Sequence, residues 1–316
     1  MIPQQTPTQP PAPTPTPAPA PTPFDHRMTV FGADDEFVAD AVPFLAEALA
    51  APDEPPPVAV VAPDRIDLLH DALGTDAKGV RFVPHTDWYT GSAANAVAQS
   101  AGYLAAHAGP GGRIHLLMEP VWGGRAGSSP RETAEWIRYE ALANLLFAPF
   151  ATTALCVYDT RVTGPALVAA ARRAHPGTGV YEEPPRLAAE LDSVPLPPPP
   201  ADARPLDRPE AAADAVREWA VGRGLAAAEA ELFAMAVTEA AAAIAPVTGA
   251  RLWGTAPACV GELRTARPVA DPLAGFVPPP SGELEPGQGL WYARQVCAYV
   301  DVRDDAEGAT VRLQYG

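Results

Sequence analysis

Val58-Ala59-Val60-Val61-Ala62-Pro63-Asp64-Arg65-Ile66-Asp67-Leu68-Leu69 decides the fold. Its first five residues form an uninterrupted apolar run, long enough for a strand and too short for a helix. A strand that is apolar at every position is covered on both faces. The run ends at a proline. Proline is harmless in the first turn of a helix, where its missing N–H would have no partner, so Pro63–Leu73 continues as a helix. The same unit recurs in both directions. Upstream, the short apolar run Met28–Gly32 precedes a helix over Asp34–Ala51 with acids in its first turn. Downstream, Val80–Val83 precedes Ser92–His107, and Thr152–Tyr158 precedes Pro165–Ala174. Between them, Ile114–Met118 precedes Ser129-Pro130-Arg131-Glu132, a capping-box pattern with proline at the first helical position, which opens a helix running to Phe147. Strictly alternating strands and helices make a parallel sheet with helices on both faces.

The whole chain has 316 residues, enough for about two domains on the usual scale. It is long enough to bury a core without disulfides or structural metals. Lys and Arg number 22 against 38 Asp and Glu, a formal net charge of −16. That balance repels phosphate backbones and anionic lipid, which excludes general nucleic-acid or membrane binding. Cys156, Cys259 and Cys297 are scattered and fit no metal-ligand or disulfide spacing, which points to a reducing, cytoplasmic setting. The chain has forty prolines, densest in two tracts. Residues 1–23 are a Pro/Thr/Ala tail expected to bury nothing, and lack the charged start and apolar stretch of a secretory signal. The second tract marks a semi-rigid linker over residues 192–206. The apolar stretch Ala141–Tyr158 is interrupted by Asn144, Pro149, Thr152 and Thr153, so it reads as helix end, turn and buried strand rather than a membrane span.

Domain boundaries follow: a tail over 1–23, an α/β domain over 24–191, the linker, and a second domain over 207–316. In the second domain, Asp207-Arg208-Pro209-Glu210 is again a capping-box pattern, opening a helix that carries Trp219 and ends near Gly222 or Gly224. Ala226–Ala245 is a long helix with Phe233, Val237, Ala240 and Ile244 on one face, stopped by Pro246. Leu252–Thr255 and Val260–Arg264 are strands, Gly289–Ala298 is a helix, and Val300–Arg303 with Thr310–Tyr315 form a terminal hairpin. Helices followed by antiparallel strands predict an α+β sandwich.

Chemistry-bearing motifs are sparse. The first strand–helix loop, Gly32-Ala33-Asp34-Asp35-Glu36, places carboxylates where a phosphate would sit, which suits the helix dipole and opposes a nucleotide. Met118-Glu119-Pro120-Val121-Trp122-Gly123-Gly124-Arg125 follows a parallel strand, at the edge where open α/β sheets bind ligands. There Glu119 and Arg125 are candidates to hold a small ligand against Trp122, or to form a structural salt bridge. Tyr158 and Asp159 end another strand on the same edge. Glu140 and Asn144, four apart, share a helix face, read as a solvated one. The six histidines show no ligand spacing, so no metal set is expected.

Phe24-Asp25-His26 with Gly32-x-Asp34-Asp35-Glu36-Phe37 resembles the opening of the MEDS sensory domain. Glu119-Pro120-x-Trp122-x-Gly124-Arg125 resembles its E-P-[IV]-W-P-G-R signature, with Gly123 for the usual proline. Tyr139-Glu140-Ala141-Leu142-x-Asn144-Leu145, Cys156-x-Tyr158-Asp159 and Ala171-Arg172-Arg173-Ala174-His175-Pro176 match its later blocks. The resemblance implies a RecA/KaiC-like α/β domain without working nucleotide motifs, used as a sensor. His26, Asp35, Glu119, Trp122, Arg125, Glu140, Tyr158 and Asp159 are the implied ligand-sensing residues.

Residues 205–316 resemble the histidine-kinase-type ATPase domain of anti-sigma regulatory kinases. The likeness rests on Trp219-Ala220, Val237-Thr238-Glu239-Ala240, Asp271-Pro272-Leu273-Ala274-Gly275 and Gly287-Gln288-Gly289-Leu290-Trp291. The two domains in this order resemble the anti-sigma factor RsbA family. In that family an Asn four residues after Glu239 helps hold Mg²⁺, and an Asp before a Gly receives the adenine amino group. Here Ala243, Thr265 and Arg267 stand in those places. Glu239, as catalytic base and cofactor contact, and Gly287, Gly289 and Leu290 are what remains of an ATP/Mg site.

Three functions are therefore expected. The first is a cytoplasmic regulator in which a MEDS-like domain modulates a degenerate ATPase-like domain that binds a sigma factor or an anti-sigma antagonist. The second is an active serine kinase of such an antagonist. The third is a small-molecule sensor centred on the first domain. A homodimer is left open.

Overall fold

The computed structural model describes residues 24–51, 53–108, 112–120, 130–269, 271, 274–276 and 288–316. The first domain is a five-stranded parallel sheet between two layers of helices. Its elements are β1 (Asp25–Phe31), α1 (Asp34–Leu49), β2 (Val58–Val61), α2 (Pro63–Leu73), β3 (Arg81–Pro84), the single turn α3 (His85–Trp88) and α4 (Ala93–His107). Then come β4 (Ile114–Met118), α5 (Pro130–Leu146), β5 (Thr152–Asp159), α6 (Pro165–Ala174) and α7 (Pro184–Asp192). The strand order is β3-β2-β4-β5-β1, all parallel.

Side chains alternate across each strand, which is why the strands are apolar at every position. Val58, Val60, Leu116, Met118, Ala154 and Cys156 face α4, α5 and α6. Ala59, Val61, Leu117, Leu155 and Val157 face α1 and α2. The chain moves one way from β1 to β3 and back the other way through β4 to β5. Connections therefore leave in opposite directions at two neighbouring pairs, β2/β4 and β5/β1, the places where such sheets open a crevice at their carboxyl ends. Ser92 caps α4, accepting from the Asn95 N–H. Ser129, expected to cap α5, lies outside the described residues.

The second domain holds β6 (Arg204–Pro205), α8 (Ala213–Gly222), α9 (Ala227–Ala243), β7 (Val247–Trp253), β8 (Cys259–Thr265), α10 (Gly289–Val296), β9 (Tyr299–Asp305) and β10 (Gly308–Tyr315). Its antiparallel sheet has the order β9-β10-β8-β7-β6. One face is covered by α8, α9 and α10, with Trp219, Phe233, Val237, Leu263, Leu290, Val311 and Leu313 in one core. Burying each large side chain contributes about 1.5–3 kcal/mol. Phe233, Val237 and Ala240 are fully buried, as their shared helix face predicts.

Two expectations are corrected. The Asp207–Glu210 pattern does not cap a helix. Arg208 adopts a left-handed backbone (φ 42°), Pro209–Ala211 is a 3₁₀ turn, and α8 begins only at Ala213. The turn interposes between the intended cap and the helix, so the cap geometry is never met. The linker is also more than a spacer. Arg303 donates to the Val194 carbonyl (3.0 Å) and Arg312 to that of Pro197 (2.7 Å), fastening this Pro-rich strand to the outer face of the second sheet. Among the described residues no helix is long and apolar enough to cross a membrane.

Candidate functional site

One set of buried polar groups in the first domain converges on a chamber beneath the α5/α6 layer. β1 delivers His26. β5 delivers Cys156 and Tyr158, two residues apart and so on one face. α5 delivers Glu140 and Asn144, one turn apart, and His175 follows the last residue of α6. The His26 and His175 rings lie 4.0 Å apart between centroids. His26 Nε2 is 3.4 Å from Cys156 Sγ and 4.0 Å from Glu140 Oε2, and His175 Nε2 is 3.8 Å from the same oxygen. The ligand-capable atoms of His26, Glu140, Cys156 and His175 all lie within 4.8 Å of one another. All four residues are buried, and Tyr158 is 1% exposed against them.

Burial sets the protonation here. It pushes the Glu140 carboxyl up to about 8, opposed only by the Tyr158 hydroxyl facing it. It lowers His175 to about 4 and His26 well below the usual histidine range, where the neighbouring His175 adds to the effect. Tyr158 is raised far above its ordinary value by the same desolvation. A cavity of about 20 Å³ adjoins the cluster, lined by Tyr89, Met118, Tyr139 and Phe147 as well as His26 and Glu140. That is room for roughly one water molecule.

The sheet edge forms a separate polar layer. Glu119 ends β4 at the β2/β4 crevice, where its carboxylate accepts from the Ala62 N–H (2.7 Å) at the start of α2. Burial raises its pKa. Asp159 ends β5, receiving Arg161 and the buried Arg65 (2.9 Å), while Arg65 and Arg161 both reach Asp34. Hydrogen bonding from Arg161 holds the Asp159 carboxyl below its usual value. The structure thus brings His26, Glu140 and Tyr158 together and places Glu119 and Asp159 apart from them at the sheet edge. Asp35 is exposed on the first turn of α1 and belongs to neither group. Trp122 and Arg125 lie outside the described residues. The face of Glu140 and Asn144, expected to be solvated, instead turns to the sheet and meets His26 there. Cys156 and His175, which no sequence spacing marked, complete the cluster.

Residues 25–176 match the family model described as MEDS, the methanogen/methylotroph, DcmR sensory domain. This segment is a MEDS domain. Neither the curated proteins nor the solved structures give a significant match to the chain. The matched span begins with β1 and ends just after α6, so it contains His26, Glu140, Cys156, Tyr158 and His175 of the buried chamber.

In the second domain, Glu239 and Gly289 do come together, but by backbone. A Cβ on Gly289 would fall 2.0 Å from the Glu239 carbonyl oxygen, so this glycine is what lets α10 touch α9. Leu290 is in the core, and Gly287 lies outside the described residues. Ala243 is half-buried, the Thr265 hydroxyl accepts from the Arg267 N–H (3.3 Å), and the Arg267 side chain is exposed.

The first domain meets the second domain through α4, α5 and α7. Arg131 donates to Gln314 (2.8 Å) and pairs with Asp301. Arg138, buried, donates twice to Asp192 (2.6 and 3.1 Å), which also receives Arg303 (2.7 Å). At the end of α4, Asn95 donates to the Gln295 side chain (2.8 Å). Phe276 inserts between Ala94 and Leu142, with the Arg294 guanidinium 3.8 Å above its ring. Burial among neutral carbonyl partners brings Arg294 down to about 10.

Proposed function

We propose that this protein is a signalling regulator of the anti-sigma type, in which the MEDS domain senses a small molecule and modulates a degenerate ATPase-like domain that binds a sigma factor or its antagonist. The observation that carries the reading is the double duty of α5. Successive residues on a helix turn by 100°, so Glu140 and Arg138 point to nearly opposite sides. Glu140 faces the buried chamber, while Arg138 holds the Asp192–Arg303 pair of the interface. A change at Glu140 is therefore felt, through a rigid rod of 17 residues and about 25 Å, at Arg131 and Arg138. Replacement of the expected magnesium and adenine contacts by Ala243, Thr265 and Arg267 supports a binding role over catalysis for the second domain.

The competing reading, an ATP-dependent serine kinase with Glu239 as its base, draws on the adjacency of Glu239 and Gly289. Calorimetry of Mg-ATP with the full chain separates the two. The wild type is expected to be silent and the variant Ala243→Asn/Thr265→Asp/Arg267→Gly to bind. Binding by the wild type overturns the degenerate reading and makes phosphorylation of antagonist proteins the next assay.

A further inference from the structure

We propose that His26, Glu140, Cys156 and His175 form a binding site for one divalent transition-metal ion of the zinc class. Four donors come from four elements, β1, α5, β5 and the end of α6, onto one buried point. Tetrahedral Zn²⁺ with N, O and S ligands at ~2.0–2.3 Å needs donors separated by about 3.3–3.7 Å. Three of the six donor pairs lie 3.4, 3.8 and 4.0 Å apart and all lie within 4.8 Å, so closing on an ion takes contractions from a few tenths of an ångström to about 1 Å. The donor set is two imidazoles, a thiol and a carboxylate. That set suits zinc, cobalt or copper and is foreign to Ca²⁺ and Mg²⁺, which take oxygen.

Hydrogen bonds around the cluster aim the ligands. The Asn144 amide nitrogen donates to the carbonyls of Ala174 (2.7 Å) and Ala141 (3.3 Å), so its oxygen is the atom facing His26 Nδ1 at 3.0 Å. Nδ1 of His26 must then carry the proton. His175 Nδ1 lies 2.8 Å from the Ala171 carbonyl, which can only accept, so it carries a proton as well. Both Nε2 atoms are left as bare lone pairs turned toward Glu140 and Cys156. His175 Nε2 is fully buried and takes part in no hydrogen bond. This is the arrangement that orients metal-binding histidines, with the far nitrogen tied to a carbonyl and the near one free.

The His175 Nε2 lone pair is buried with no hydrogen-bond partner and His26 Nε2 meets only the Cys156 thiol, at 3.4 Å, an arrangement that a cation between them would satisfy. A divalent ion satisfies all four donors at once, and with a thiolate and a carboxylate as ligands the buried site is neutral. Binding breaks the Cys156 S–H bond and the O–H bond of the buried Glu140 carboxyl and releases both protons, with no change of oxidation state.

The test is titration of chelator-treated full-length protein with Co²⁺, followed by competition with Zn²⁺ and metal analysis. The expected result is one equivalent of ion per chain, with the intense d–d bands of a tetrahedral site and a thiolate-to-cobalt charge-transfer band. Cys156→Ser should abolish the charge-transfer band, and His175→Ala the tetrahedral spectrum, whereas Cys297→Ala should leave both intact. Asn144→Ala keeps all four ligands and should weaken affinity about 10–100-fold by freeing the His26 ring. It serves as the decisive variant if a ligand substitution prevents folding. Folded protein that takes up no stoichiometric ion, or binds Co²⁺ without a thiolate band, overturns the proposal. So does unaltered affinity in Asn144→Ala.

Discussion

Asp192→Asn should loosen the junction of the two domains without unfolding either. Asp192 ends α7 and is the common acceptor of Arg138 on α5 and Arg303 on β9, through three hydrogen bonds of 2.6, 2.7 and 3.1 Å. The substitution keeps the shape and removes the charge that both guanidiniums share. Arg138 is 4% exposed and would retain only Glu135, at 3.7 Å. Removing one partner of a buried pair costs about 3–5 kcal/mol. Asp192 is itself 28% exposed, so solvent recovers part of that, and about 2–3 kcal/mol is a fair expectation for hydrogen bonds to charged groups. Spread over domains of this size, it corresponds to roughly 5–10 °C in Tm. The loss should fall on docking. Calorimetry should resolve one transition into two, and limited proteolysis should become faster between residues 193 and 203. Retention of a single transition within about 1 °C of wild type, with unchanged cleavage, would refute the claim that α5 and α7 couple the domains through this carboxylate.

Two further outcomes follow from the same geometry. Gly289→Ala places a methyl group against the Glu239 backbone, which cannot rotate away; the second domain should lose at least the ~1–3 kcal/mol of ordinary overpacking, and a melting curve identical to wild type would mean that α9 and α10 do not touch. Hydrogen bonds from Arg161 hold the Asp159 carboxyl below its ordinary value. Its stabilisation is therefore complete above the unfolded value and is lost as pH falls toward the folded one. The Tm difference between wild type and Asp159→Asn should be widest near neutrality and shrink in acid, and a difference that stays constant with pH would assign the effect to packing instead.

What the sequence made legible, and what it did not, divides along a physical line. The strands at Val58, Ile114 and Thr152 were legible because double-sided burial demands apolar residues at every position, and that demand is local. α7 was not, because Pro184–Asp192 lies between proline-rich segments and has too few turns to show a period. The chamber divides in the same way. His26, Glu140 and Tyr158 surfaced only through resemblance to MEDS blocks, and the local pattern pointed Glu140 toward solvent. Nothing in the text of α5 says which of its faces meets the sheet. Only packing decides that, and it turns Glu140 and Asn144 inward while leaving Arg131 and Arg138 for the second domain. Cys156 and His175, quoted within the same blocks, were not marked as site residues for a related reason. Metal-ligand spacing is readable when one loop or helix supplies neighbouring donors, whereas here a parallel sheet gathers them from positions 26, 140, 156 and 175. The crossover connections that make a parallel sheet carry the chain through a helix between neighbouring strands, so donors on β1 and β5 are adjacent in space because they are remote in sequence. In folds of this kind an isolated buried histidine in the sequence is weak evidence against a site. The informative quantity is which strand it occupies and what the strand beside it presents on the same face.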